Sequence, residues 1–225
     1  MPAGIVLQAR LASTRLPAKA LAPIGGRTML HRCLSRLMSR GSRVILATTT
    51  EPEDDSLALV AQQLGAWVYR GHPTDVLARF CGAAETFGLD VIVRATADNP
   101  AVDHDAPRRV VSALRKSGAD YACEAGMPIG AGVEAITVAG LRASDQMATS
   151  DYDREHVTSF IKSNAGAHRH RITQAPAHLI DPALSLTVDT EEDLAWMREL
   201  YFRTGNADPS LFELISAARR AKKAA

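Results

Sequence analysis

Short apolar runs alternate with amphipathic stretches through the first half of the chain. Residues 4–9 read Gly-Ile-Val-Leu-Gln-Ala, a buried strand, and residues 29–38 place Met29, Leu30, Cys33, Leu34 and Leu37 at helical spacing. Residues 44–48 predict a second strand, and a helix over about 54–64 is stopped by Gly65. A third strand follows at 67–69, a helix at 75–86, a fourth strand at 91–96 and a helix at 105–116. Strands that are apolar on both faces and joined by helices predict an α/β fold with a mostly parallel sheet, because a parallel crossover needs a connection long enough to hold a helix.

After Tyr121 the alternation loses its regularity. Residues 133–138 and 169–174 predict strands, and 141–148 and 154–164 predict helices. A last strand is expected at 184–188, before a helix from Glu191. Neither a Ser/Gly/Pro linker nor a repeat divides the chain, so one domain over 1–225 is the expectation. The tail at 216–225, with Arg219, Arg220, Lys222 and Lys223, reads as a fraying helix end whose cations suit the C-terminal dipole.

Charge narrows the partners. Lys and Arg number 26 against 25 Asp and Glu, and the balance of +1 draws the chain to neither nucleic acid nor an anionic membrane. With aromatics at only 5% and no basic helical stripe, a nucleic-acid binder is the least favoured class. The three cysteines are far apart and lack Cys-x-x-Cys spacing, as suits reduced thiols. No secretory leader is visible, nor a run near the roughly 18 apolar residues of a membrane span, so a cytoplasmic protein is expected.

Any phosphate chemistry must then be local, and the segment after the first strand supplies it. About 20 residues separate Ala9 from the helix at Met29, where ordinary strand-to-helix connections take about 2 to 6. In a doubly wound sheet that loop lies at the carboxyl ends of the strands, where ligands bind. Arg10, Arg15 and Lys19 are spaced to face one anion, with Ser13 and Thr14 adding hydroxyls and backbone N–H groups. A solvated turn would carry the same cations, but the excess length, the position and Pro17 beside Lys19 favour a phosphate site. The spacing fits neither a P-loop nor a dinucleotide fingerprint.

Two carboxylates complete the pattern. Asp98, in VRATADNP, and Asp189, in LTVDTEED, each follow a predicted strand and fall on the same ligand edge. Converging carboxylates repel unless a cation joins them, and Mg²⁺, with Mn²⁺ as the alternative, takes one or two carboxylates and completes its shell with water and phosphate oxygens. Glu191, Glu192 and Asp193 are explained without chemistry: Thr190 and Asp193 form a capping box, and acids suit a first helical turn. Asp54 and Asp55 are set aside on the same ground. A solvated strand accounts for His168 and His170, which lack a neighbouring metal-ligand motif.

Together these residues resemble a known family. QARLASTRLPAK is similar to the N-terminal signature of the superfamily of CMP-KDO synthetase and acylneuraminate cytidylyltransferase. ATTTEPEDD, YRGHPTDVLARF, VRATADNP, DYDREHVTSFI and LTVDTEEDL resemble its SpsF-type branch, in order along nearly the whole chain. The resemblance implies a GT-A-like nucleotidyltransferase, a homodimer, that uses CTP and Mg²⁺ to activate a sugar acid or related hydroxyl acceptor. It divides the chain into a nucleotide-binding half over 1–120, an acceptor and dimer half over 121–190 and C-terminal helices over 191–225. It places Arg10, Ser13, Arg15 and Lys19 on the triphosphate, and Leu7, Gln8 and Ala9 beside the base. Arg94 and Thr96 lead to Asp98, which binds metal with Asp189, and Glu134, Arg154, Glu155 and His156 line the acceptor side. Arg10, Arg15, Lys19 and Asp98 would carry the catalysis. A glycosyltransferase of the same fold, and a non-catalytic nucleotide-binding subunit, are the competing readings. Ala18 stands where the branch usually has Gly, which predicts strain if that position takes a positive φ. Around Glu134 the branch often reads Asp-Gly-x-Asp-Val-Glu, and this chain has Ile129-Gly130-Ala131-Gly132-Val133-Glu134. Two acceptor-side acids are thus missing.

Overall fold

The computed structural model describes residues 2–224; the side chains of Lys222 and Lys223, expected to suit the helix dipole, lie outside the described residues. The first half alternates as its pattern predicts. Strand β1 (Ala3–Gln8) leads through a ribbon of β2 (Pro23–Ile24) and β3 (Arg27–Thr28) into helix α1 (Met29–Met38). There follow β4 (Val44–Thr49), α2 (Asp55–Gln63), β5 (Trp67–Gly71), α3 (Val76–Thr86), β6 (Val91–Thr96) and α4 (Ala106–Ser117). Local signals set several ends. Thr28 and Asp75 accept the N–H groups of His31 and Ala78 as N-caps, and Gly118 closes α4 in the left-handed conformation.

The second half comprises β7 (Tyr121–Ala125), β8 (Glu134–Thr137), α5 (Val138–Met147), α6 (Asp151–His156), α7 (Ser159–Ser163), β9 (His170–Gln174), α8 (Glu191–Thr204) and α9 (Leu211–Ala224). Seven strands make one sheet in the order β5-β4-β1-β6-β8-β7-β9. Neighbours from β5 to β6 run parallel, β8 is antiparallel to both β6 and β7, and β9 is parallel to β7. The chain winds outward from β1 through β4 and β5, then crosses to β6 on the other side of β1. That reversal opens a crevice beyond the carboxyl ends of β1 and β6, the ligand position of doubly wound sheets.

One face of the sheet packs Leu7, Leu46 and Val93 with Leu30, Leu34 and Val110. The other packs Val6, Ala47 and Ile92 with Val76, Leu77 and Phe80 of α3. Gly82 lets α3 approach closely: a Cβ there would lie 1.9 Å from the Tyr69 hydroxyl. A third cluster joins Leu16, Ile24 and Leu186 to α8 and α9, and so fastens the segment after β1 to the C-terminal helices. Among the described residues no helix is long and apolar enough to cross a membrane, and all three cysteines are free.

Two expectations need correction, and one strand had none. The segment over 184–188 is not a strand: it meets Ile129 in a single bridge at Ser185, because Gly130, at φ 84, turns its neighbour out of extended backbone. The helix expected over 154–164 breaks at Val157, dividing α6 from α7. Strand β7 carried no visible pattern, since Ala122, Glu124 and Ala125 are poor strand formers, and it forms through pairing on both sides.

Candidate active site

The twenty residues after β1 are more ordered than a free loop. A 3-10 turn spans Lys19–Leu21, and Gly25 and Gly26, at φ 53 and 80, close the two-residue turn of the β2–β3 ribbon. What remains for a ligand is the stretch over 9–18. Asp54 anchors its start: this buried carboxylate accepts the Leu11 N–H at 2.8 Å and the hydroxyl of Thr49, tying the loop to the end of β4. In the sequence Asp54 looks like a helix cap, and nothing there separates a cap from this brace. Ala18 adopts φ 55, ψ 22, the left-handed region, and turns the chain into Lys19. The strain expected of that position is present, because an alanine there costs about 1–2 kcal/mol over right-handed backbone.

Lys19 is where the two strand-end acids meet. Its Nζ donates to Asp98 Oδ2 at 3.3 Å, to Asp189 Oδ1 at 2.8 Å and to the Val188 carbonyl at 2.9 Å. The Val188 N–H in turn donates to the Asp98 carbonyl at 2.9 Å, stitching the two acid-bearing segments together. Arg15 adds a second cation 3.0 Å from Asp189 Oδ1 and stays 66% exposed, free to swing toward an incoming anion. Thr190 and Asp193 form the expected capping box, and Asp193 also accepts the Asp189 N–H. Two carboxylates on one ammonium can share one cation. Among the described residues no cluster of three or more His, Cys, Asp and Glu side chains could hold a metal. Two carboxylates alone fit a cation that takes one or two protein ligands and fills its shell with water and phosphate oxygens, the habit of Mg²⁺.

Arg10 does not join that group. It reaches the Pro73 carbonyl at 3.3 Å and Glu155 Oε1 at 3.2 Å, on the far side of β1. Ser13 lies in the same loop, its N–H on the Leu11 carbonyl. Leu7 is fully buried in the core, whereas Gln8 leaves its Oε1 buried and unpartnered at the crevice. Ala9 N–H bonds the Ala47 carbonyl, so it is held by the sheet. Thr96 accepts a hydrogen bond from Asn99 Nδ2 at 2.7 Å.

The acceptor-side residues fall into two groups. Glu134, paired in register with Arg94, accepts from Arg94 (3.1 Å), Tyr121 (2.5 Å), Thr158 (3.0 Å) and Lys162 (3.0 Å). Burial alone would raise its carboxyl, but Arg94 and Lys162 outweigh it and hold the group below its ordinary value. Arg154 turns from the crevice to Asp75, at 2.9 Å from its Nε, and to the Asp145 carbonyl at 2.8 Å. Glu155 meets Arg10, and His156 is exposed with its ring tilted against that of Tyr152, 4.3 Å between centroids. His168 and His170 are not solvated as expected: His168 is buried beside Phe160, and the His170 ring bonds the Ile161 carbonyl at 2.9 Å.

A crevice at a sheet reversal, with a basic loop facing paired acids, defines a nucleotidyltransferase-like protein. Residues 3–204 match the family model described as Cytidylyltransferase, and the chain belongs to that family. It is 33% identical over 228 residues to the spore coat polysaccharide biosynthesis protein SpsF of Bacillus subtilis, covering 98% of this chain and 95% of that one. A solved cytidylyltransferase from Leptospira borgpetersenii superposes with TM-score 0.91 at 28% identity, over 99% and 96% of the two chains. A CMP:2-keto-3-deoxy-manno-octonic acid synthetase, solved with CTP, matches in fold at TM-score 0.68 and 18% identity, over 90% of this chain and 99% of that one. The protein is an enzyme of the nucleotidyltransferase class.

Proposed function

We propose that the enzyme transfers CMP from CTP to the hydroxyl of a sugar acid or related acceptor, releasing pyrophosphate, in the synthesis of a surface glycan precursor. The observation that carries this reading is the meeting of Asp98, Asp189 and Lys19 on one ammonium, at the carboxyl ends of β1 and β6. Asp98 and Asp189 would hold Mg²⁺, which supplies charge neutralisation at the α-phosphate and acidifies the attacking hydroxyl when bound. Lys19 and Arg15, released from the acids, would face the β- and γ-phosphates and offset the charge that builds on the leaving pyrophosphate. The catalytic gain is mainly alignment of the hydroxyl with the α-phosphorus.

Cytosine would rest against Gln8, whose buried Oε1 lacks a partner and whose amide can read a base edge. Arg94 and Glu134 would form the floor of the acceptor side. Ile129 and Gly132, where the branch often carries acids, make that side less acidic, which suits an anionic acceptor. The reading includes a cytoplasmic homodimer, for which the edge strand β9, with Ile172 59% exposed, offers a surface. The test is release of pyrophosphate from each NTP with Mg²⁺ over sugar acids and phosphorylated sugars. CTP should support it and UTP should not. Asp189→Asn should fold with unchanged thermal midpoint and lose at least about a hundredfold in turnover; full activity in that variant removes the metal assignment.

A further inference from the structure

Buried arginines elsewhere in the molecule have found carbonyl partners. Arg32 donates to the carbonyls of Ile24, Gly25 and Ala207 and lies over the Tyr201 ring, while Arg36 makes two short bonds, to the carbonyls of Val102 and Pro209 at 2.7 and 2.6 Å, and leaves only its Nη2 without a partner. Arg79 differs. It is 2% exposed, and among the described residues its Nε has no partner and its one hydrogen bond, to the Pro73 carbonyl, is 3.5 Å long. The same carbonyl receives Arg10 at 3.3 Å, so two guanidinium groups converge on a single neutral acceptor.

Burial pulls the Arg79 guanidinium down to about 10, and the nearby charge of Arg10 adds to the effect; Asp54 and Asp75 work the other way. Neither acid forms an ion pair with it among the described residues. A cation held in that way destabilises the empty protein unless an anion completes the site.

The location is on the ligand edge. Arg79 lies in the first turn of α3, which packs on β4, β1 and β5. Gln8 and Arg94 share that face of the sheet with Val6, because Val6 is in register with Arg94 and Gln8 with Thr96. Of the two, Arg94 leaves a buried donor, Nε, that an anion could partner, whereas the orphaned Gln8 Oε1 is an acceptor and suits the amino edge of a base. Orphaned groups of this kind cluster where a ligand supplies the missing partners.

We propose that Arg79 and Arg10 form an oxyanion pocket of the substrate site, binding either the phosphates of the nucleotide or the acid group of the acceptor. The pocket rests on the proposed transfer reaction for its role but not for its existence. Arg79 is then a binding residue set by YRGHPTDVLARF, a stretch whose chemistry the phosphate loop and the metal acids leave unused.

Arg79→Met, with Arg79→Lys beside it, tests the pocket. Calorimetry with inorganic pyrophosphate and with 2-ketogluconate, a sugar acid, should show Arg79→Met losing on the order of tenfold to a hundredfold in affinity for one of them. Loss for pyrophosphate assigns the phosphate; loss for 2-ketogluconate assigns the acceptor's acid. The thermal midpoint of the ligand-free variant should equal or exceed that of the wild type, the opposite of what a structural arginine predicts. Should Arg79→Met fail to fold, Arg79→Lys carries the test, since it keeps the charge and loses the planar fork and should still weaken binding. A fallen midpoint with both affinities unchanged overturns the pocket, as does a wild type that binds neither probe. A wild type that binds pyrophosphate but not CTP contradicts the proposed transfer and leaves the pocket standing.

Discussion

At the scale of single residues, Ala18 holds the local tension of the loop over 9–18. Its φ of 55 is comfortable for glycine and unfavourable for alanine, and it immediately precedes Lys19. Ala18→Gly removes the strain and returns some freedom to the unfolded chain, and the two effects oppose each other. The strain is the larger, so the variant should be more stable by about 1 kcal/mol, a midpoint rise of roughly 2–4 °C for a chain of this size. A drop in midpoint on calorimetric scanning would mean that the left-handed turn is not adopted in solution. That Lys19, Asp98 and Asp189 come together was legible in the sequence, because strand ends and an overlong loop fall on one edge of the sheet. The sequence puts Arg10 in the same loop, but not its turn toward Pro73 and Glu155. Arg79 and Asp54 were not legible, since an arginine in a helix and an aspartate before one look like surface and cap until burial is known.

Among the elements, the break between α6 and α7 decides how the acceptor side is built. Val157 takes φ 52, ψ −52 with its side chain 1% exposed, and the Thr158 N–H closes back on the His156 carbonyl as a γ-turn. A β-branched residue in that conformation is costly, and the return is placement: Val157 enters the core while the Thr158 hydroxyl reaches Glu134. The helical period over 154–164 was genuine on both sides of the break, but a single strained residue leaves no periodic signature. Strand β7 likewise leaves no periodic signature, because it is held by pairing with β8 and with the more distant β9 rather than by its own residues.

The Glu134 network gives this element a pH signature. Its carboxyl is held below the ordinary value near 4.5, so it stabilises the folded state above that value and ceases to do so as pH falls through the lower folded value. Glu134→Gln should therefore cost about 1–3 kcal/mol near neutral pH. The deficit should shrink as the pH drops below about 4.5, where the unfolded chain begins to take up the proton, and close once the folded wild type protonates as well. Urea titrations of both proteins at several pH values would show the two stabilities converging toward acid; a constant gap would remove the charge pairing with Arg94 and Lys162.

For the molecule as a whole, topology does most of the positioning. The reversal at β1 brings a loop over 9–18, a turn after β6 and a segment over 184–189 to one edge, although they are separated by most of the chain. The parallel half of that arrangement was readable from alternating strands and helices. The antiparallel insertion of β8 was not, because strand direction leaves no trace in a short apolar run. Membership of the cytidylyltransferase family agrees with a site whose cations face paired acids rather than a nucleotide-sugar donor. The glycosyltransferase reading differs from it in one observable, the fate of the α-phosphate.

That fate is the most direct measurement. With CTP labelled at the α-phosphate, Mg²⁺ and a sugar acid that supports pyrophosphate release, the label should appear in a CMP-linked product in proportion to the pyrophosphate formed. It should vanish when EDTA is present or when Asp189→Asn replaces the wild type. Label that remains in CTP, or is released as free CMP while the acceptor is unchanged, would contradict transfer of CMP as the reaction of this site.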